Sequence, residues 1–253
     1  MSKQYWITSI ERVDKIIKLI TNDPKKYRLI DISNELNVNK SSIYSILMTL
    51  ESLNWIVKEK DGTYSLGIIL GMLGSQYFSQ FNIVDIFNEE VPIIIDKINE
   101  TVQMSTLNLR DIVYIAKVEN NSPIKLATSP GSTLPAHSTA MGKVHLSQYS
   151  FNEIEDLYKN IELIKQTPFT VDSIEKLWEQ IETIKENGFV WEKQESIEGF
   201  VCIAAPIKND KNEILAAISI TMLNDNFKKK KEKAEDLILK VSNNISKSLG
   251  YNL

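Results

Sequence analysis

The 253-residue chain reads as an α+β protein of two domains, and three observations predict it. Helix, turn, helix and hairpin patterns follow one another within the first 66 residues. Beyond residue 81, strand patterns come in adjacent runs between helices, which favours an antiparallel-rich sheet over alternating βαβ units. The charge also divides. Residues 1–66 hold 10 Lys+Arg against 8 Asp+Glu, a net of +2, leaving 19 against 25, a net of −6, for the remainder. A small basic part attached to a larger acidic one points to a nucleic-acid module fused to something else.

The elements follow in order. Ile10, Val13, Ile16, Ile17 and Ile20 recur at helical spacing, and Asn22-Asp23-Pro24 ends that helix. Leu29, Ile32 and Leu36 mark a short second helix. Ile43, Leu47, Leu50 and Leu53 mark a third, buried on that side, with Asn39 as its N-cap. In the connecting turn, Asn37 tolerates the left-handed conformation better than most residues. Trp55–Lys58 and Thr63–Leu66 flank Asp61-Gly62, a hairpin signal because Asp-Gly suits positive φ. A helix over Ile68–Phe81 then joins the halves. Further helices are expected near 84–100, 138–148, 151–160, 172–187 and 227–248. Strands are expected near 102–109, 112–119, 123–128, 189–194, 200–208 and 214–222.

Composition bounds the chemistry. At 43% apolar and 25% charged, disorder, collagen and disulfide scaffolds are excluded. Cys202 stands alone, so no intramolecular disulfide forms, which fits a reducing compartment. The first residues carry no apolar signal region. The longest apolar stretches, such as Val91–Ile95, fall far short of the ~20 residues of a spanning helix. A cytoplasmic location without membrane contact is expected.

The third helix opposes its buried side with Lys40, Ser41, Ser42, Tyr44, Ser45 and Thr49. These short donors, one cation and one phenol fit a major groove and can bond phosphates or base edges. Asn39 begins that helix, whose N–H groups favour a phosphate. Lys58 and Lys60 on the hairpin suit flanking backbone contact. A plain three-helix core with a solvated polar face is the competing reading.

The run Glu35–Glu51, with Lys40-Ser41-Ser42-Ile43 at its centre, and Asp61–Gly67 resemble the winged helix-turn-helix of the IclR family of bacterial transcriptional regulators. Asn39 stands where that family usually has proline, and Ser45 where arginine is common. The resemblance continues through Val118-Glu119, Leu134–Lys143, Gly188-Phe189, Glu195, Gly199–Ile207 and Leu215–Thr221. Val201 stands where many relatives carry arginine. The resemblance implies a winged helix-turn-helix over 1–67, a linker helix over 68–82, and a GAF-like α/β effector-binding and oligomerisation domain over 83–253. It also implies a homodimer or dimer of dimers, a near-palindromic double-stranded DNA operator, a small-molecule effector such as an organic or aromatic acid, and repression. The effector pocket would be lined by Leu134, Ala140, Met141, Glu192, Cys202, Ser219 and Thr221. The chemistry is sensible on its own terms. Ser219 and Thr221 share one strand face and offer hydroxyls, Ile218 and Ile220 point the other way into packing, and Leu134 and Met141 supply apolar walls. His137-Ser138-Thr139 can open a helix.

No cofactor or metal is expected. His137 and His145 lie about 12 Å apart if helical, and two His with one Cys make no zinc pattern. No phosphate loop or hydrolase motif occurs. Cys202 in an apolar strand reads as a small hydrophobe or a pocket wall, not a nucleophile. Lys228–Lys231 reads as the solvated start of the last amphipathic helix. The rival to a regulator is a metabolite-binding protein or enzyme whose N-terminal helices serve assembly.

Overall fold

The computed structural model describes residues 6–79 and 83–251. The chain divides into two units, Met1–Gln80 and Phe81–Leu253.

In the first unit, α1 (Thr8–Asn22), α2 (Leu29–Glu35) and α3 (Lys40–Ser52) precede the strands β1 (Ile56–Lys58) and β2 (Tyr64–Leu66) and the helix α4 (Ile68–Ser79). Ile16, Ile20, Ile32, Ile43, Leu47, Leu50, Ile56 and Tyr64 form its core. Two expected core positions are exposed: Ile10 at 63% and Leu53 at 51%. Ile10 sits in the first turn of α1. Leu53 is the C-cap of α3, past the last turn that faces the core. Asn37 takes φ +49°, so the α2–α3 turn closes through the left-handed conformation that asparagine tolerates. The hairpin loop is wider than two residues. Gly62 N–H donates to Glu59 O at 3.0 Å and only Gly62 of the Asp-Gly pair has positive φ, a turn followed by a left-handed glycine. The joining helix expected to reach Phe81 is described to Ser79; residues 80 and 81 lie outside the described residues.

The second unit runs α5 (Ile83–Glu90), α6 (Pro92–Ile98), β3 (Thr101–Asn108), β4 (Asp111–Val118), β5 (Thr133–Pro135), a 3-10 turn (Ala136–Ser138), α7 (Ala140–Leu146), α8 (Phe151–Tyr158), α9 (Ile174–Asn187), β6 (Val190–Lys193), β7 (Phe200–Lys208), β8 (Ile214–Leu223) and α10 (Asn224–Ser248). The strands form one antiparallel sheet ordered β5-β4-β3-β8-β7-β6. β3 pairing with β8 therefore joins an N-terminal three-strand block to a C-terminal one. Both faces are covered: α7 packs on β7 and β8, and so does α10. Consequently β8 is buried along most of its length and Ile218 and Ile220 are fully enclosed.

Three expectations are corrected. The helix expected over 84–100 is two, because Pro92 supplies no N–H to continue the first and instead opens the second. The helix expected from 138 starts at Ala140 after the 3-10 turn. No strand forms over 123–128. The Lys117 ammonium donates to the carbonyls of Leu126 (2.9 Å) and Thr128 (2.8 Å), so a lysine side chain takes the place of a ladder partner.

Candidate functional site

On α3 the side opposite Ile43, Leu47 and Leu50 is solvent-facing. Lys40, Ser41, Tyr44, Ser45 and Thr49 are exposed, and Ser42 is half-buried. Asn39 caps the helix: its Oδ1 accepts from Ser42 N–H at 2.8 Å and from Ser41 Oγ at 2.9 Å. Ser45 Oγ donates to Ser41 O at 3.1 Å and Thr49 Oγ1 to Ser45 O at 2.8 Å. The sequence suggested free donors here; these hydroxyl protons are instead committed to the helix itself. Met48, 48% exposed, lies among them. Sequence reasoning did not single it out, although its phase places it opposite Leu50. Lys58 and Lys60 are exposed on and beside the hairpin. Lys25, paired with Glu59 at 3.4 Å, lies next to them.

In the second unit, register aligns part of the other predicted set. Glu192 pairs with Cys202 on β7, Cys202 with Thr221 on β8, and Thr221 with Thr101 on β3. Directly paired residues share a face, so these four form one row across the sheet. Cys202 Sγ and Thr221 Oγ1 are 3.3 Å apart. Ser219 lies in the next row, between Ala204 and Gln103. α7 covers this face. Ala140 and Met141 from its first turn join Cys202 and Leu134 of β5 in one apolar cluster. Thr139 caps α7, its Oγ1 accepting from Gly142 N–H at 3.0 Å. All but Leu134 and Cys202 of the seven are less than a tenth exposed. Thr221 also lines a cavity of about 310 Å³ at the strand ends, beside Thr101, Phe200, Leu223 and Lys230.

The electrostatics of this face are unusual. Lys143 on α7 has no exposed side-chain surface and pairs with Glu195 Oε1 at 2.6 Å. Burial pulls its ammonium below the usual lysine value, with the Glu195 charge opposing. Glu192 accepts from the backbone N–H groups of Glu195 and Ser196 and from Ser196 Oγ at 3.0 Å. Burial nevertheless pushes it up to about 7, against the pull of Lys143. Burial also raises the Cys202 thiol, with Glu192 adding to the effect; a thiol held protonated is a wall, not a nucleophile. Tyr114 on β4 is close enough to feel Cys202 and Glu192, and burial raises its phenol. Lys143, Glu195 and Tyr114 were absent from the sequence reading of the site. A lysine inside Met141-Gly142-Lys143-Val144 was the available signal, since fully buried lysines are rare unless paired.

His137 is structural, its Nε2 3.1 Å from Ile164 O. His145 is buried with Nε2 3.1 Å from Ser105 O, and burial pulls it down to about 4. The basic run on α10 is only partly solvated: Lys230 pairs with the buried Glu100 and donates to Ile98 O at 2.7 Å. No helix among the described residues is long and apolar enough to cross a membrane.

Comparison with known proteins agrees with this architecture. The model described as "IclR helix-turn-helix domain" matches residues 9–60, and "Bacterial transcriptional regulator IclR C-terminal" matches residues 75–247. The chain is 25% identical over 248 residues to the HTH-type transcriptional regulator KdgR of Dickeya chrysanthemi, covering 97% of this chain and 81% of that protein. The solved IclR of Thermotoga maritima superposes with a TM-score of 0.73 at 28% identity, over 96% of this chain and 98% of that one. An IclR homolog of Microbacterium hydrocarbonoxydans, complexed with 4-hydroxybenzoate, has a TM-score of 0.84 at 16% identity, over 96% and 99%.

Proposed function

The chain belongs to the IclR family of bacterial transcriptional regulators, and from that premise we propose that α3 is its recognition helix and the α7-covered sheet face its effector site. It is a DNA-binding regulator modulated by a small molecule, not an enzyme. Asn39, Lys40, Ser41, Ser42, Tyr44, Ser45 and Thr49 meet the major groove, while Lys58 and Lys60 meet flanking phosphates. The observation that carries this reading is the division of α3 into a fully buried apolar side and an exposed polar one.

The chain works as a homodimer or a dimer of dimers, so that two recognition helices read a near-palindromic operator. α4 supports this. It is apolar nearly all round, yet Ile68, Met72 and Leu73 are exposed, as are Trp6, Ile7 and Ile10 at the start of the unit. A helix of that composition calls for a covering partner, and a second copy supplies one. The sign is repression, by occupancy of the operator.

The effector is an organic or aromatic acid. Leu134, Ala140 and Met141 form its apolar walls, and Cys202, Ser219, Thr221 and Glu192 its polar side. The complex of an IclR homolog with 4-hydroxybenzoate supports that class. Effector and DNA affinities are coupled, and the coupling is reciprocal.

Electrophoretic shift of the DNA upstream of the chain's own gene, across a range of salt, is the direct test. Specific binding that weakens with salt is expected; its absence at every salt removes the proposal. For the effector site, Ser219→Ala weakens binding of candidate carboxylic acids in calorimetry, and an unchanged affinity takes Ser219 out of the pocket.

A further inference from the structure

The outward arc of α3 has a composition that limits which bases it can read. Its centre is Ser41, Ser45, Met48, Thr49 and Ser52, with Tyr44 at one flank. Past Lys40 and the Tyr44 phenol at its start, it has no arginine or lysine to grip guanine O6 and N7, no asparagine or glutamine to grip adenine, and no carboxylate to take a cytosine amino proton, the side-chain pairings that usually read the major groove. Asn39 stands nearby, but its Oδ1 is occupied by the helix cap.

The hydroxyls narrow the choice further. Ser45 Oγ, Thr49 Oγ1 and Ser52 Oγ each donate to a carbonyl of α3 itself, at 3.1, 2.8 and 2.8 Å. A hydroxyl carries one proton. Toward a groove these groups therefore offer lone pairs, which accept from the amino groups of adenine or cytosine but cannot satisfy the two acceptors of guanine. Among them stand the exposed Met48 thioether and the Thr49 methyl, which seek an apolar partner. The major groove offers one such group, the C5-methyl of thymine. Of the two amino-bearing bases, only adenine is paired with a base that carries it.

We infer that the operator pairs contacted by the Ser45–Ser52 stretch of α3 are A·T pairs, recognised through thymine methyls packed on Met48 and Thr49 and adenine amino groups bonded to back-bonded hydroxyls. This rests on α3 being the recognition helix. The chemistry is that of methyl burial and single acceptors, not of bidentate side chains.

The test begins with a random double-stranded library selected by the full-length protein. The enriched duplex is then resynthesised with each thymine in turn replaced by deoxyuridine, which removes only the methyl group. Enrichment of a block of consecutive A·T pairs within the half-site is expected. Deoxyuridine at one or more of those positions should weaken binding about threefold to tenfold, the scale of one buried methyl and its packing. Met48→Ala or Thr49→Ser should erase that difference between the two duplexes; both positions are exposed, so folding is preserved. Guanine-containing pairs throughout the selected half-site overturn the inference. So does equal affinity of every deoxyuridine duplex, or a methyl effect that persists in both variants. Each of those results leaves operator binding intact. Failure to enrich any sequence instead removes the recognition-helix reading, and the inference with it.

Discussion

The buried pair Lys143–Glu195 shows what single residues contribute beneath the proposed effector face. Two charges out of water are tolerated because each satisfies the other at 2.6 Å, and Glu195 Oε2 also takes the Val171 N–H at 3.3 Å. Removing one partner leaves an uncompensated buried charge, so Glu195→Gln should lower stability by about 3–5 kcal/mol, whereas Lys143→Met combined with Glu195→Leu should recover most of it. Urea unfolding monitored by circular dichroism reads both. Two further buried groups make opposite contributions with pH. Glu192, ordinarily near 4.5 and pushed to about 7, binds more protons folded than unfolded within that window, so its contribution falls as pH rises. His145, ordinarily near 6.5 and pulled to about 4, binds fewer protons folded, so its contribution rises with pH. Relative to the parent, Glu192→Gln should therefore gain stability between pH 4.5 and 7.5, and His145→Gln should lose it. Slopes of the same sign for the two variants would contradict this assignment.

At the scale of elements, two close approaches fix the architecture. A Cβ on Gly142 would lie 2.1 Å from Ala136 O, so α7 docks on the 3-10 turn only because that position has no side chain. Gly142→Ala should displace α7, lower the melting temperature by many degrees, and abolish effector binding. Asn37 makes the milder case. At φ +49°, Asn37→Gly should be near neutral, whereas Asn37→Ala should cost about 1 kcal/mol and weaken operator binding by loosening the α2–α3 turn. These elements also show what the sequence could and could not convey. The helix-turn-helix was legible because Ile16 and Ile20, Leu29 and Ile32, and Ile43, Leu47 and Leu50 each repeat at helical spacing within their own helix, and Asn37 and Asn39 punctuate it. The row Glu192–Cys202–Thr221 was legible only in part. Strand alternation put Ser219 and Thr221 on one face, but the register that brings Thr101 opposite Thr221 is a long-range choice with no local signature. The false strand over 123–128 failed for a related reason. Its carbonyls bond to Lys117, whose partner cannot be read from neighbouring residues.

At the scale of the whole molecule, the division of charge predicts how operator affinity responds to salt. The acidic remainder, net −6, adds nothing to phosphate binding, so the electrostatic part of affinity rests on the reader, net +2. Each phosphate contact contributes a slope of roughly 0.9 in log affinity against log salt. Lys58→Ala with Lys60→Ala, carried twice by the proposed dimer, should make that slope shallower by roughly 3–4 while leaving sequence preference unchanged. Gel-shift titrations between low and moderate salt measure it, and an unaltered slope would remove the hairpin from the interface.

The β3–β8 pairing has a consequence in time. Thr101 meets Thr221 only when β8 has left the ribosome, whereas every residue of the reader's core lies before Leu66. Chains emerge at roughly 5–20 residues per second and tend to fold in order of emergence. Each newly made copy thus completes its DNA reader roughly 8–30 seconds before the sheet of its second unit can close. Until then, the sheet face proposed to hold the effector does not exist.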